Sequence, residues 1–227
     1  MISLIVPTYN EARNIPKLIP FLYNNLKKTG QDFEILIMDD DSPDKTWEIA
    51  SRYSKYNVRV IRRFKDKGLS NAVIDGFRKS RGDILGVIDA DLSHPPALLP
   101  DMIREAKTND IVIASRYVVS GYTEFSLFRK IVSYVATMLA RPLTPVRDPM
   151  SGYFVFKKKI LRNADLKPLG YKILLEMLVK CKYSSVKEVP FVFAKRYRGK
   201  SKLGFKVYAN YIRHVLSLYA YSLFRNI

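Results

Sequence analysis

Residues 84–91 read ILGVIDAD, an apolar run that ends in the carboxylates of Asp89 and Asp91. In an extended segment, residues i and i+2 point to the same side. One divalent cation could therefore contact both carboxylates, and such hard oxygen ligands suit Mg²⁺ or Mn²⁺. The alternative is an ordinary turn at the end of a strand, because aspartate is also common in turns.

Two earlier apolar runs are built in the same way. Residues 2–6, ISLIV, are followed after a short loop by Glu11, and residues 33–38, FEILIM, run directly into Asp39. Nearly continuous apolar runs are typical of strands that are buried on both faces of a parallel sheet. Ligands bind beyond the carboxyl ends of the strands in such sheets, so three strands are predicted to deliver acids to one edge.

Helical patterns separate these strands. The first is marked by apolar residues at helical spacing, Ile15, Leu18, Ile19, Leu22 and Leu26. A second helix is predicted to have Ser42 as N-cap and Pro43 in its first turn, and a third to cover 70–79. Strands that alternate with helices predict an α/β fold with a doubly wound, mostly parallel sheet.

The second half of the chain is predicted to add strands at 110–116 and 186–193 and helices at 125–139, 171–182 and 205–224. The last helix has an apolar face formed by Val207, Tyr211, Val215, Leu218 and Tyr219. Its apolar part is too short to span a bilayer, so this helix either lies on a membrane surface or docks as an ordinary terminal helix. We therefore divide the chain into a catalytic domain, 1–204, and a C-terminal amphipathic helix, 205–227.

Charge limits the classes of partner. The chain has 227 residues, 48% of them apolar, and a net charge of +18 from 39 basic and 21 acidic residues. An anionic membrane, a phosphorylated substrate and nucleic acid all fit this charge. Residues 195–202, KRYRGKSK, are predicted to form a flexible phosphate-binding loop. A nucleic-acid binder is disfavoured, because it has no need for acids at three strand ends and no stacking-aromatic RNA motif is present.

Cysteine and histidine carry little signal. The single Cys181 excludes an internal disulfide and is predicted to be a core thiol. His94 and His214 are too far apart in sequence to form a metal-ligand spacing. His94, three residues after Asp91, is expected to be a solvated turn residue, with contact to a ligand as the alternative.

The motifs together resemble those of the family 2 inverting glycosyltransferases. The matching segments, in the family's order, are 6–11 VPTYNE, 39–44 DDDSPD, 67–70 KGLS, 89–95 DADLSHP, 115–117 SRY, 148–152 DPMSG and 198–203 RGKSKL. The DDDSPD and DADLSHP segments resemble the branch that transfers mannose to polyprenyl phosphates. This resemblance implies a nucleotide-sugar-binding, Rossmann-like fold of the GT-A type.

The resemblance also implies substrates and site residues. The donor would be GDP-mannose, the acceptor dolichyl or another polyprenyl phosphate, and the product a β-linked mannosyl phospholipid. Donor-binding residues would be Pro7, Tyr9, Glu11, Ile37, Asp39, Lys67, Asp89, Ala90, Asp91, Arg116 and Lys202. Asp89 and Asp91 would hold Mg²⁺ or Mn²⁺, and Ser93 stands where some relatives have a glutamine ligand. Catalytic residues would be Asp91, Arg116, Arg129, Asp148 and Arg198, with Asp148 orienting the sugar or arginine side chains.

Three readings of the function remain at this point. The first is the mannosyltransferase, acting as a peripheral enzyme on the cytoplasmic face of a membrane. It would bind the anionic surface by itself or through a separate membrane-anchoring subunit. The second is a polyprenyl-phosphate glycosyltransferase that uses another nucleotide sugar, such as UDP-glucose. The third is the disfavoured nucleic-acid binder.

Overall fold

The architecture was obtained as a computed structural model that describes residues 1–119, 122–123, 127–167, 169, 172–193, 197 and 205–225. The strands are β1 (Ile2–Thr8), β2 (Phe33–Asp39), β3 (Val58–Arg62), β4 (Ile84–Val87), β5 (Ile111–Ser115), β6 (Tyr122–Thr123), β7 (Phe154–Lys157), β8 (Val186–Pro190) and β9 (Val192–Phe193). The α-helices are α1 (Ile15–Lys27), α2 (Thr46–Ser51), α3 (Leu69–Lys79), α4 (Leu99–Glu105), α5 (Leu127–Ala140), α6 (Ile173–Lys180) and α7 (Phe205–Arg225).

The main sheet has the strand order β3-β2-β1-β4-β7-β5-β8. Neighbouring strands are parallel except that β7 runs antiparallel to both β4 and β5. Helices α1, α2 and α4 contribute to the core on one face of the sheet, and α3 and α6 contribute to the core on the other. The predicted doubly wound, mostly parallel sheet is therefore confirmed.

The start of the second helix was predicted wrongly. Helix α2 begins at Thr46, after Lys45 in the left-handed conformation (φ 60°). Ser42 does not cap it, because the Ser42 N–H and O–H both donate to the Asp39 carboxylate, at 2.8 and 2.7 Å. The DDDSPD segment therefore forms the end of β2 and the loop that leads to α2, instead of the first turn of a helix.

The predicted strand 186–193 is interrupted. Its first part, β8, extends the main sheet beside β5, whereas β9 pairs with β6 in a separate two-stranded sheet. Phe191 lies between the two parts, and its ring stacks on His94 at 5.5 Å between ring centroids. This contact ties the β8–β9 junction to the loop that follows β4.

Helix α7 docks on α5 and α6. Val215 and Leu218 are buried against Ala140, Met150 and Leu175. The hydroxyls of Tyr211 and Tyr219 donate to main-chain oxygens of α5, Ala136 at 2.5 Å and Leu139 at 2.8 Å. The predicted apolar face therefore turns toward the protein, apart from Val207, whose side chain lies outside the described residues. Among the described helices, none is both long and apolar enough to cross a bilayer.

Helices α5 and α7 also carry exposed apolar side chains. We call these side chains together the α5–α7 face: Tyr134, Val135, Met138 and Leu139 on α5, and Ile212, Leu216, Leu223 and Phe224 on α7.

Cys181, just after α6, is a buried free thiol as predicted, and burial raises its pKa to about 12.

Candidate active site

The carboxyl ends of β1, β2, β4 and β5 bring most of the predicted site residues to one edge of the sheet. Asp39 ends β2, the Asp89–Asp91 loop follows β4, and Arg116 follows β5. Adjacent strands are about 4.8 Å apart. The loop after β4 and the end of β2 are separated by two strand spacings, with β1 between them. Two spacings amount to about 10 Å between these two groups of residues.

At the β1–β2 end, most predicted donor residues are buried. Pro7, Ile37 and Asp39 are inaccessible to solvent or nearly so, whereas Tyr9 is 41% exposed. The Asp39 carboxylate accepts a third hydrogen bond from Thr8 Oγ1 at 2.8 Å, in addition to the two from Ser42. The N–H of Glu11 donates to Thr46 Oγ1 at 2.9 Å, which holds the start of α2 beside β1. Tyr9 is therefore the member of this group that offers a ring surface to a bound base.

The next two acids were not predicted as individual site residues. Asp40 is buried in an ion pair with Arg63 and accepts the Gly68 N–H at 2.7 Å. Burial raises the pKa of Asp40, although both of these partners act to lower it. Asp41 accepts hydrogen bonds from Arg62 at 2.8 Å and from Lys67 at 3.2 Å, and these two contacts lower its pKa. Lys67 is thus exposed and paired with Asp41, at the edge of the sheet where the nucleotide is predicted to bind.

Asp89 and Asp91 occupy the loop directly after β4. The backbone of Leu92 is left-handed (φ 62°), so the chain turns sharply at this point. Asp91 is 5% exposed, and its Oδ1 accepts both the N–H of Ser93 at 3.0 Å and the Ser93 hydroxyl at 2.5 Å. Ser93 therefore orients Asp91. Ala90, between the two acids, is buried.

The carboxylates fit a divalent cation that completes its shell with substrate oxygens. The side chain of Asp89 is 34% exposed. A Cβ atom at Gly152 would lie 2.9 Å from Asp89 Oδ2, so a larger residue at position 152 would require the carboxylate to shift. No group of three or more His, Cys, Asp or Glu side chains that could hold a metal occurs among the described residues. Mg²⁺ commonly takes one or two protein carboxylates and substrate phosphates, so the pair suits it.

His94 is not the solvated turn residue that was expected. It is 2% exposed, and the rings of Tyr153, Phe191 and Phe193 lie within 5.5 Å of it. Burial lowers the pKa of His94 to about 3, with Asp91 acting in the opposite direction. His94 Nδ1 lies 3.7 Å from Asp89 Oδ2. The neutral ring therefore supports the Asp89–Asp91 loop from the core side.

Arg116 and Asp148 form a buried ion pair. Arg116 Nε donates to Asp148 Oδ2 at 2.8 Å and Nη2 to Oδ1 at 2.7 Å, and the Arg116 backbone N–H donates to Oδ2 at 2.9 Å. Their side chains are 8% and 0% exposed. Burial lowers the pKa of Arg116, but the hydrogen bonds and charge of Asp148 outweigh burial and raise it. The structure thus brings together two residues that the sequence placed in separate motifs.

Three of the predicted basic residues lie outside the part of the chain that the structure describes. They are Arg198, Lys202 and the side chain of Arg129, whose backbone belongs to α5. Tyr197, next to Arg198, donates its backbone N–H to the Asp91 carbonyl at 3.0 Å, and Lys17 Nζ lies 3.9 Å from the centre of its ring. Tyr197 therefore contacts the Asp89–Asp91 loop.

Solved structures share this architecture. Glucosyl-3-phosphoglycerate synthase from Mycobacterium tuberculosis, in complex with Mn²⁺, UDP and its product, matches with a TM-score of 0.67 at 17% identity, over 98% of this chain and 79% of that one. A mannosyltransferase from Pyrobaculum calidifontis, in complex with GDP-Man and Mn²⁺, matches with a TM-score of 0.60 at 18% identity, over 98% and 64%. At these identities the likeness concerns the fold alone, which is of the GT-A type.

The matches found by sequence are more specific than the structural ones. The Glycosyl transferase family 2 model matches residues 3–164, and the chain belongs to this family. A dolichol-phosphate mannosyltransferase of Pyrococcus furiosus is 47% identical over 224 residues, 96% of this chain and 63% of that protein. A protein of the same name in Saccharomyces cerevisiae is 37% identical over 232 residues, 96% of this chain and 87% of that protein. The chain thus spans less than two thirds of the Pyrococcus relative's length.

Proposed function

We propose that the protein transfers mannose from GDP-mannose to dolichyl or another polyprenyl phosphate, with inversion at the anomeric carbon. The observation that carries this proposal is the meeting, at one sheet edge, of the partly exposed Asp89 carboxylate, the buried Asp91 carboxylate and the buried guanidinium of Arg116. The carboxylates suit a diphosphate-bound cation, and the guanidinium suits a second phosphate. Relatives named dolichol-phosphate mannosyltransferases, which match 96% of the chain, support mannose and dolichyl phosphate as the transferred group and acceptor.

In the proposed donor complex, Asp89 and Asp91 would hold Mg²⁺ or Mn²⁺. The bound ion would neutralise the charge of the leaving diphosphate. Tyr9 would contact the base, and the loop ends around Asp39 and Lys67 would enclose the nucleoside. Ser93 would fix the direction of the Asp91 carboxylate through its two hydrogen bonds.

The acceptor needs no catalytic base. A phosphate monoester has a second pKa of about 6 and is mostly a dianion at neutral pH, so its oxygen can attack directly. Its approach to an anionic donor requires compensating positive charge. Arg116 would supply it, with Arg129, Arg198 and Lys202 as further contributors. Asp148 accepts three hydrogen bonds from Arg116, which suits an orienting role better than proton removal.

The lipid acceptor requires contact with a membrane. We propose that the α5–α7 face rests on the cytoplasmic leaflet and that the basic residues around it favour anionic lipid. The helix 205–227 would then have two roles, docking on the catalytic domain 1–204 through one face and meeting the bilayer through the other. A separate membrane subunit could cover the same face in place of lipid, and vesicle binding by the isolated protein separates these two cases.

Transfer assays test the proposal directly. A panel of labelled GDP-mannose, UDP-glucose and UDP-N-acetylglucosamine would be incubated with polyprenyl phosphate, with and without Mn²⁺. We expect mannosyl transfer that depends on the metal, and a product whose anomeric configuration by NMR is β. Glucosyl transfer would support the alternative donor, and the absence of any lipid-linked product would contradict the proposed acceptor.

A further inference from the structure

Glu188 lies behind the Arg116–Asp148 ion pair and outside the motifs quoted above. It is the central residue of the edge strand β8, opposite Ile113 of β5. One carboxylate oxygen accepts the backbone N–H of Arg147 at 2.9 Å, and the other accepts the backbone N–H of Asp148 at 3.0 Å. A single side chain thus fixes two successive peptide units.

These peptide units determine where Asp148 points. Asp148 begins a turn in which its carbonyl accepts the Ser151 N–H at 3.3 Å. Its side chain holds Arg116 in the two-point geometry that carboxylates and guanidinium groups favour. A rotation of the 147–148 backbone would therefore be passed on to the guanidinium.

Resting on the proposed function, we propose that Glu188 is a positioning residue for the transfer step, acting through Asp148 to aim Arg116 at the acceptor phosphate. This arrangement uses both oxygens of a carboxylate, one for each backbone donor. A glutamine would replace one of these acceptor atoms with an NH₂ group, which can only donate. Glu188→Gln therefore keeps the size of the side chain but sets an N–H group against a backbone N–H.

A double-mutant cycle tests the proposal. We expect Glu188→Gln to lower kcat/KM for the polyprenyl phosphate about tenfold, the effect of one lost hydrogen bond to a charged group, with the KM for the donor unchanged. In an Arg116→Lys background the same substitution should add little, because the group it positions has been removed. Lys187→Gln, on the adjacent exposed residue, is the matched control and should behave like the parent. Additive losses in the cycle would overturn the proposal.

NMR of arginine-labelled protein gives a second readout that needs no activity. The Arg116 Nε–H resonance is identified by its absence in Arg116→Lys, and we expect its hydrogen exchange to accelerate at least about tenfold in Glu188→Gln. Unchanged exchange would overturn the positioning role even if mannosyl transfer occurs. Faster exchange in a protein that transfers no sugar would instead uphold the positioning role and contradict the proposed function. Glu188→Asp, which keeps the charge, serves in both measurements if Glu188→Gln does not fold.

Discussion

Asp89 and Asp91 belong to one motif but lie in different surroundings. Asp91 is buried and held by Ser93, whereas a third of the Asp89 side chain is exposed. Asparagine at position 91 would still accept the Ser93 hydrogen bonds but would lose the negative charge. Its effect on the fold should therefore be small and its effect on a bound cation large.

We expect Asp91→Asn to reduce transfer at low Mn²⁺ by at least about a hundredfold. Loss of a residue that only hydrogen-bonds to a metal ligand already lowers metal affinity or activity by about 10–100-fold. Mn²⁺ binding in the presence of GDP, measured by electron paramagnetic resonance, should weaken in parallel, and the melting temperature should stay close to the parent's. Asp83→Asn, at the other end of β4 on a side chain that is 93% exposed, is the control. Parent-like metal binding in Asp91→Asn would contradict the proposed ligand.

At the level of single residues, the sequence predicted the positions of charged side chains better than their burial and their contacts. The carboxylates at strand ends could be predicted, because apolar runs and i, i+2 spacing are local properties. The burial of His94 could not, because the ring that stacks on it, Phe191, is distant in sequence. Glu188 was missed for the same reason, since both of its partners come from another segment.

Among the elements, β2 includes a glutamate, Glu34, within its otherwise apolar part, residues 33–38. Glu34 pairs with Ser3 in the β1–β2 register and is 5% exposed. Its carboxylate accepts hydrogen bonds from Ser3 Oγ at 2.6 Å, the Arg81 N–H at 2.8 Å and Arg59 Nε at 3.0 Å. Burial alone would raise the pKa of Glu34, but these contacts outweigh it and lower the pKa below 4.5.

The sign of the pH dependence follows from this depressed pKa. The stabilisation by ionised Glu34 is complete above the pKa of the unfolded chain and is lost as the pH falls through the lower folded-state value. We expect Glu34→Gln to cost about 1.5–3 kcal/mol of unfolding free energy at pH 7. Urea denaturation should show this difference from the parent shrinking below about pH 4.5. Glu48→Gln, on an exposed pair with Arg52, should change little, and a difference independent of pH would contradict the role of the Glu34 charge.

Element boundaries depended on contacts that the sequence does not reveal. Helical spacing located α1, α3, α5 and α6 to within a few residues, because periodicity is local. The break between β8 and β9 and the antiparallel insertion of β7 arise from tertiary pairing. The direction of the α7 face was open for the same reason, since an apolar stripe packs equally well on protein or on lipid.

On the scale of the whole molecule, the two apolar faces of α7 separate stability from membrane binding. Removing α7 would expose the buried side chains of Met150 and Leu175. A deletion would therefore change the stability of the fold as well as any binding to a membrane. Leu216 and Leu223 are 63% and 68% exposed on the α5–α7 face. Substitution there leaves the docked face intact and affects only what covers the outer one.

We therefore expect Leu216→Gln together with Leu223→Gln to keep the parent's melting temperature but to weaken binding to phosphatidylserine vesicles at least about tenfold, because a buried leucine contributes about 1.5–3 kcal/mol. Parent binding should also fall as salt rises, since basic residues contribute at an anionic surface. Transfer to a long polyprenyl phosphate in vesicles should drop with binding, while transfer to a short, water-soluble prenyl phosphate should persist. Phe21→Gln, at an exposed apolar position on α1, is the control. Equal loss with both acceptors would mean that the face serves the active site and not the membrane.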